Sequence, residues 1–218
     1  MSALPPQSLT PLDRRAARVF LRNIFDSHTT GVIALAFKVH ADVVGTKKAD
    51  GTRKDYYIPK TCRADDQYGW MERKFEWPAE REVMLDEIAD RMREDLVKVM
   101  ISPALFADKS SRGMHNIKAI RVVHLDYDAH GQRMDSGLLK QLLSLKPLIV
   151  KSGSPHCFHA YAGVAGLTLD DHHKLNTAFV RHFGGDSKTS PNDLLSLPGT
   201  YNIKNRENPA QVKIVGLS

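Results

Sequence analysis

The chain has 218 residues, of which 42% are hydrophobic and 26% charged, with a net charge of +6 and a pI near 9.3. This composition is typical of a globular protein, and no apolar run approaches the length of a bilayer span, so we expect a soluble, cytoplasmic protein without a membrane partner. Cys62 and Cys157 lie far apart in the sequence and predict neither a disulfide nor a structural zinc site. The positive charge favours a polyanionic partner.

The N-terminal half begins with apolar residues at helical spacing over 12–24 and an apolar run over 32–37 that predicts a strand. Asp50-Gly51 is a turn signal and predicts the tip of a hairpin. From Pro78, a second apolar stripe predicts a helix through about Met100, followed by a loop.

Cations and aromatic rings alternate along residues 53–77, a mixture that suits single-stranded nucleic acid because rings stack on bases and cations follow phosphates. The residues that we expect to bind nucleic acid are Arg53, Lys54, Tyr57, Lys60, Trp70 and Arg73. The alternative is that half of these rings belong to the core and that the cations form a solvated rim. The sequence leaves both interpretations open.

The C-terminal half predicts alternating elements. A strand over about 117–128 is followed by a helix capped by Ser136, two strands over 148–151 and up to about 164, a helix capped by Thr168, and a last strand over 211–215. This β-α-β-β-α-β order is that of a split βαβ sheet, with both helices on one face and the other face free. A long insertion over 185–209 precedes the last strand, and loops of this length are often functional.

Two carboxylates end the first of these strands. Because side chains alternate along a strand, Asp126 and Asp128 point the same way and share their face with His124. Two like charges side by side are unfavourable unless a cation bridges them, and carboxylate oxygens suit Mg²⁺ or Mn²⁺. The alternative is an ordinary strand end that runs into a solvated turn.

Three further groups could act with this pair. His159 would share its face if Phe158 packs against the helices, and a histidine there can donate to a phosphate. Asp186 would supply a third carboxylate for two-metal phosphoryl transfer, although Asp193 competes for that role. Asn202 and Lys204 share one strand face in a segment that could equally be a solvated hairpin.

Together these residues resemble the archaeo-eukaryotic primase superfamily, in particular the primase-polymerase domains of phage and plasmid replication proteins. The resemblance is carried by four pieces in order over about 120–205: Leu125-Asp126-Tyr127-Asp128, Ser152-Gly153 through His159-Ala160-Tyr161, Asp186, and Leu197-Pro198-Gly199-Thr200-Tyr201-Asn202-Ile203-Lys204. Two positions depart from the pattern: Ser196 stands where relatives often carry Arg, and Pro155-His156-Cys157 replaces a Gly-rich turn.

The resemblance implies an α/β (α+β) fold, with an N-terminal α/β module over 1–105 and an RNA-recognition-motif-like catalytic module over 106–218, packed as one domain. It implies that Asp126, Asp128 and Asp186 bind Mg²⁺ or Mn²⁺ and that His159 contacts the phosphates of a nucleoside triphosphate. We add Ser152, Lys204, Asn202, Lys109 and Arg112 as nucleotide-binding candidates.

The implied activity is template-directed nucleotidyl transfer from ribo- or deoxyribonucleoside triphosphates on a single-stranded DNA template. Family proteins commonly continue into a helicase domain, so we expect the N-terminal piece of a longer replication protein, in the host cytoplasm if it is phage-encoded. Two alternatives stay open: a metal-dependent nuclease or replication initiator, and a non-catalytic module that binds single-stranded nucleic acid.

Overall fold

A computed structural model describes residues 10–48, 50–59, 68–128 and 132–215. The helices are α1 (Arg14–Ile24), α2 (Arg81–Glu94), α3 (Ser136–Ser144) and α4 (Leu169–Phe183). The strands are β1 (Gly31–His40), β2 (Tyr68–Trp77), β3 (Lys98–Ile101), β4 (Ala104–Phe106), β5 (Ile117–Ile120), β6 (Val122–Tyr127), β7 (Leu148–Lys151), β8 (Phe158–Gly163), β9 (Leu195–Ser196), β10 (Tyr201–Asn202), β11 (Ala210–Gln211) and β12 (Lys213–Val215).

The first sheet is built around β1. Strand β2 pairs with one edge of β1 over its full length, and β3 and β4 pair one after the other with the opposite edge. Strand β5 extends the sheet beside β4, and β9, from the predicted insertion, extends it beside β3. Alternate residues of β1, including Leu35 and Phe37, face a large core formed with α1 and α2.

The second sheet has the strand order β12-β7-β8-β6 with antiparallel pairing throughout. Its elements follow each other as β6-α3-β7-β8-α4-β12, which is the predicted β-α-β-β-α-β order, and β12 lies beside β7. Leu125, Ala160 and Phe158 face α3 and α4 in a second core cluster, as alternation from the acidic strand predicts.

The opposite face of this sheet is covered, in contrast to the prediction of a free face. Val122, Leu148 and Tyr161 join the first core, where the ring of Phe20 on α1 meets the ring of Tyr161 edge-on with centroids 5.2 Å apart. Helix α1 therefore lies between the two sheets. Apolar side chains at that end of the face need a partner, and the amphipathic α1 supplies it.

The predicted helix caps are partly confirmed. The side chain of Thr168 accepts a hydrogen bond from the N–H of Asp171, and Gly184 ends α4 in the left-handed conformation, as expected. The cap of α3 is Asp135 rather than Ser136, because the Asp135 carboxylate accepts from the N–H groups of Gly137 and Leu138.

The long helix predicted from Pro78 to Met100 is wrong at its C-terminal end. Helix α2 ends at Glu94, and the last part of the segment is β3, in which Val99 and Ile101 face the core while Lys98 and Met100 face away. The predicted loop that follows contains β4. Helical and strand periods overlap over such a short apolar run, and pairing with β1 decides between them.

The predicted strand over 117–128 is two strands that belong to different sheets. Strand β5 lies in the first sheet and β6 in the second, with the change at Arg121. The predicted division after residue 105 falls within β4, and the chain passes from one sheet to the other at Arg121. The division into two modules packed as one domain stays a prediction.

Candidate active site at the junction of the two sheets

Asp126 and His159 form the centre of the site. They are directly opposite each other on β6 and β8, and Nε2 of His159 lies 3.3 Å from Oδ1 of Asp126. Both side chains are almost completely buried. Burial acts to raise the pKa of Asp126, but the hydrogen bond from His159 and the charges of His159 and Lys188 outweigh it and hold the pKa well below its usual range. Asp126 is therefore ionised at neutral pH.

Lys188 completes this centre, a role that no motif in the sequence predicts. Its ammonium forms an ion pair with Oδ2 of Asp126, so the two oxygens of that carboxylate have different cationic or donor partners. Its only sequence signal is that it follows Asp186 by two positions in the insertion.

The turn after α4 brings Asp186 to the end of β6. The N–H of Asp186 donates to the carbonyl of Asp126 over 2.7 Å. A Cβ at Gly185 would lie 2.3 Å from Cδ1 of Leu125, so a larger residue there would displace this buried leucine side chain. The Asp186 side chain is exposed and accepts from the N–H of Ser187. The turn thus places the backbone of Asp186 beside that of Asp126.

Asp128 lies just beyond β6. Its Oδ1 accepts from the Cys157 thiol over 3.1 Å, and its Oδ2 lies 3.7 Å from Nζ of Lys204. Lys204 therefore lies beside the second carboxylate of the acidic strand. Its side chain is two-thirds exposed and can move toward a ligand.

The competing carboxylate, Asp193, has a different environment. Its Oδ2 accepts from the N–H of Ser190 and lies 4.0 Å from Nε2 of His124, which is completely buried. Burial raises the pKa of Asp193 and lowers the pKa of His124 to about 3. Asp193 thus faces a neutral, buried imidazole.

The donor chemistry of the three predicted ligands fits a hard divalent cation, because Asp126, Asp128 and Asp186 offer carboxylate oxygens. Within the described ranges, however, no group of three or more acidic, histidine or cysteine side chains is close enough to hold a metal ion as it stands. Lys188 supplies positive charge at Asp126 instead. A cation held by all three carboxylates therefore requires side-chain movements at Lys188 and Asp186.

Ser152 and Asn202 stabilise the turn before β8. The side-chain amide of Asn202 donates to the carbonyl of Ser152 over 2.8 Å, and its oxygen accepts from the N–H of Lys204. Both Ser152 and Asn202 are buried. Their contacts position the backbone that leads to His159 and Lys204.

The two cations predicted before the acidic strand have different partners. Lys109 donates to Glu80 over 2.8 Å, and Glu76 lies 4.0 Å away, so its charge is compensated outside the acidic centre. Arg112 pairs with Glu72 and donates to the carbonyl of Asn192 over 2.6 Å. Arg112 therefore holds the loop that follows Asp186.

The residues of the basic and aromatic stretch over 53–77 have two kinds of environment in the structure: some are paired or buried, and others are exposed. Lys54 pairs with Asp95 at 2.6 Å, with both side chains nearly buried, and Arg73 pairs with Glu87 and Asp55. Both cations therefore already have carboxylate partners, and their contact with phosphates stays a prediction.

Three other residues of the stretch have side-chain surface that could contact nucleic acid. Tyr57 and Arg53 are exposed, and Trp70 lies on the opposite face of β2 from Arg73, with Nζ of Lys38 5.3 Å from its ring centroid. Lys60 lies outside the described residues.

No helix in the described part of the chain is long and apolar enough to cross a membrane.

The chain matches no family model and no curated protein sequence. It is similar to the solved structure of the AEP domain of the primase-polymerase from cyanophage S-2L, with 13% identity, a TM-score of 0.53, and coverage of 96% of this chain and 92% of that chain. It is also similar to the crystal structure of primase RepB', with 15% identity, a TM-score of 0.55, and coverage of 93% of this chain and 55% of that chain. This chain thus spans about half the length of the RepB' chain. The chain has the fold of archaeo-eukaryotic primase-polymerase domains, so the resemblance in its sequence is confirmed as a likeness of fold.

Proposed function

We propose that this chain is a template-directed primase-polymerase domain that transfers nucleotides from nucleoside triphosphates and releases pyrophosphate. The proposal is carried by the contact between the side chains of Asp126 and His159 at one end of the second sheet. The backbone of Asp186 is hydrogen-bonded to that of Asp126 at the same end, and Lys188 and Lys204 pair with Asp126 and Asp128 there. Acidic groups for metal ions and basic groups for phosphates are the two components that phosphoryl transfer requires.

Asp126, Asp128 and Asp186 would hold Mg²⁺ or Mn²⁺. Bound there, such ions would lower the pKa of the attacking 3′-hydroxyl and neutralise the leaving pyrophosphate. Because the pKa of Asp126 lies well below its usual range, its carboxylate is already ionised before a metal ion binds. Metal binding at Asp126 would therefore release no proton. The new bond forms between the 3′-oxygen and the α-phosphorus, and the bond from the α-phosphorus to the bridging oxygen breaks.

The basic groups have separate roles in this proposal. His159 and Lys204 contact the phosphates of the incoming nucleotide, since Nδ1 of His159 is buried with no hydrogen-bond partner among the described residues and Lys204 is mostly exposed. Ser152 and Asn202 fix the turn that carries these groups. Arg112 acts indirectly, because its guanidinium donates a hydrogen bond to the carbonyl of Asn192 and so positions the insertion. The contacts of Lys109 favour a structural role.

The single-stranded DNA template would lie along the first sheet. Trp70 and Tyr57 lie next to each other through a β-bridge, and both present ring surface that can stack on bases. Arg53 is exposed near the same hairpin and can contact phosphates.

The structure favours an enzyme over a non-catalytic binding module. A module that binds through its sheet needs an open face with stacking rings, and here α1 covers one end of that face while ionisable groups occupy the other. A nuclease uses similar groups, so the reaction has to be tested directly.

The test uses a labelled primer on a single-stranded template with Mn²⁺. We expect the primer to lengthen when nucleoside triphosphates are present and to stay intact when they are absent; shortening without triphosphates would indicate the nuclease instead. Running the assay on an unprimed template with ribo- and deoxyribonucleotides defines the substrate. Asp128→Asn should reduce incorporation by more than about 100-fold in a folded protein, since it removes a metal ligand.

The matched control for that variant is Asp170→Asn, which changes an exposed carboxylate on α4. It should incorporate nucleotides as the wild-type chain does. Extension by Asp128→Asn at the wild-type rate would contradict the proposed active site.

A further inference from the structure

Two lysines, a serine and the buried Met100 lie on the side of the first sheet that faces away from its large core. Lys38 on β1 is directly opposite Lys98 on β3, and Met100 on β3 is directly opposite Ser196 on β9. Their neighbours in sequence, such as Phe37 and Val99, face the core. Lys38 and Lys98 therefore point to the same side of the sheet, and Ser196 adds no charge beside them.

Lys98, on this side of the sheet, lies within electrostatic range of the candidate active site. The charges that act on Lys98 are those of Lys188, Lys38 and Lys204, and of Asp126. These residues come from both sheets and from the insertion, and we call Lys38, Lys98, Lys188 and Lys204 the lysine cluster.

The carboxylates next to the lysine cluster already have basic partners. Asp126 accepts from His159 and pairs with Lys188, and Lys204 lies near Asp128. Nζ of Lys38 lies 3.5 Å from the centroid of the Tyr68 ring. The charges of Lys188, Lys38 and Lys204 act against the ammonium of Lys98, and an anion bound beside Lys98 would offset that repulsion.

Lys98 is the member that most needs an anion. It is partly buried, and among the described residues its ammonium forms neither a hydrogen bond nor an ion pair. Burial and the neighbouring lysines lower its pKa to about 8. Lys54, by contrast, is similarly buried but is paired with Asp95. A partly buried ammonium without a carboxylate is unfavourable in a domain that binds no anion there.

We propose that Lys98, on the N-terminal sheet, binds the triphosphate of the incoming nucleotide between Lys38 and the acidic centre. That the ligand is a nucleoside triphosphate rests on the proposed function. That an anion binds at Lys98 rests on the geometry of the lysine cluster. The N-terminal sheet then contributes directly to nucleotide binding, and not only to template binding.

The test compares the wild-type chain with Lys98→Met, Lys98→Arg and Lys174→Met. Methionine keeps the length of the side chain and removes its charge, and Lys174 is an exposed lysine on α4. In steady-state primer extension, we expect Lys98→Met to raise the KM for the nucleotide by at least about 10-fold, because one charged hydrogen bond to phosphate is lost. The kcat should change less, Lys98→Arg should restore the KM, and Lys174→Met should leave both unchanged.

A purely structural lysine would behave differently. Lys98→Met would then leave the KM unchanged, and such a result would overturn the assignment. Thermal unfolding of each variant shows whether it is folded, and we expect Lys98→Met to be at least as stable as the wild-type chain.

Binding of inorganic tripolyphosphate in EDTA, measured by calorimetry, separates this inference from the proposed function. If the wild-type chain does not extend primers but Lys98→Met still binds tripolyphosphate more weakly, the anion site is supported and the polymerase function is rejected. If Lys98→Met extends primers as the wild-type chain does, the polymerase function is supported and the role of Lys98 is rejected. A wild-type chain that neither extends primers nor binds tripolyphosphate would reject both.

Discussion

Lys188 and Asp126 form an ion pair between the insertion after α4 and the end of β6. The Asp126 side chain is only 10% exposed in this pair and that of Lys188 is 38% exposed. The ammonium thus neutralises, from the solvent side, a carboxylate that the proposed metal site needs. A divalent cation at Asp126 has to compete with it.

Lys188→Met tests this competition. Without metal, the variant should be less stable by about 1–3 kcal/mol, because a nearly buried carboxylate oxygen loses its partner. Mn²⁺ should then raise its Tm more than it raises that of the wild-type chain, because the ion no longer displaces an ammonium. The measurement is thermal unfolding over a Mn²⁺ titration, with Lys174→Met as the control. An identical Mn²⁺ response in Lys188→Met and wild type would show that Lys188 does not compete with the metal.

Asp186 and Asp193 can be distinguished by two matched substitutions. Asp186→Asn should reduce nucleotide incorporation by more than about 100-fold, since it removes a proposed metal ligand while the amide can still accept from Ser187. Asp193→Asn should keep most of the activity, because that carboxylate faces buried His124. Primer extension at saturating Mn²⁺ measures both. The reverse pattern would assign the third ligand to Asp193.

The stability of the chain should depend on pH through Lys98. Its pKa is lowered from the ordinary 10.5 to about 8 by burial and by the neighbouring lysines, so between these values the unfolded chain binds more protons than the folded chain. Raising the pH through that range therefore relieves the cost of Lys98 in the folded state, whereas at neutral pH the cost is fully present.

Lys98→Met should accordingly raise the Tm at neutral pH by a few degrees, since about 1 kcal/mol corresponds to about 2–4 °C in a domain of this size. The gain should shrink toward about pH 10, where the wild-type lysine is largely neutral in the folded state. Thermal unfolding at both pH values measures it, again beside Lys174→Met. A gain that stays constant or grows with pH would contradict this account of Lys98.

The two faces of β2 give a test of template binding. Trp70→Ala should weaken binding of a labelled single-stranded oligonucleotide by about 1–3 kcal/mol, the usual effect of removing one stacking ring. Arg73→Ala should change the affinity little, because Arg73 pairs with Glu87 and Asp55 on the other face. Fluorescence anisotropy at one fixed salt concentration compares them. Equal losses in both variants would show that the oligonucleotide does not distinguish the two faces.

The sequence by itself determined the elements whose signals are local. The alternation around Asp126, the cap at Thr168 and the glycine after α4 each depend on neighbours within a few residues, and each is confirmed. The order of the elements follows from the same signals. The resemblance of the motif set then predicted the fold class.

Only the tertiary structure decided what depends on partners far along the chain. Lys98 is predicted in a helix, and only its pairing with β1 makes it a strand residue near the candidate active site. The sequence likewise does not show that Lys54 pairs with Asp95 and Arg73 with Glu87. Pairing of strands and of charges is set by three-dimensional proximity, which local periodicity does not encode. For this reason the shared face of the residues around Asp126 was predictable from the sequence, while the lysine cluster was not.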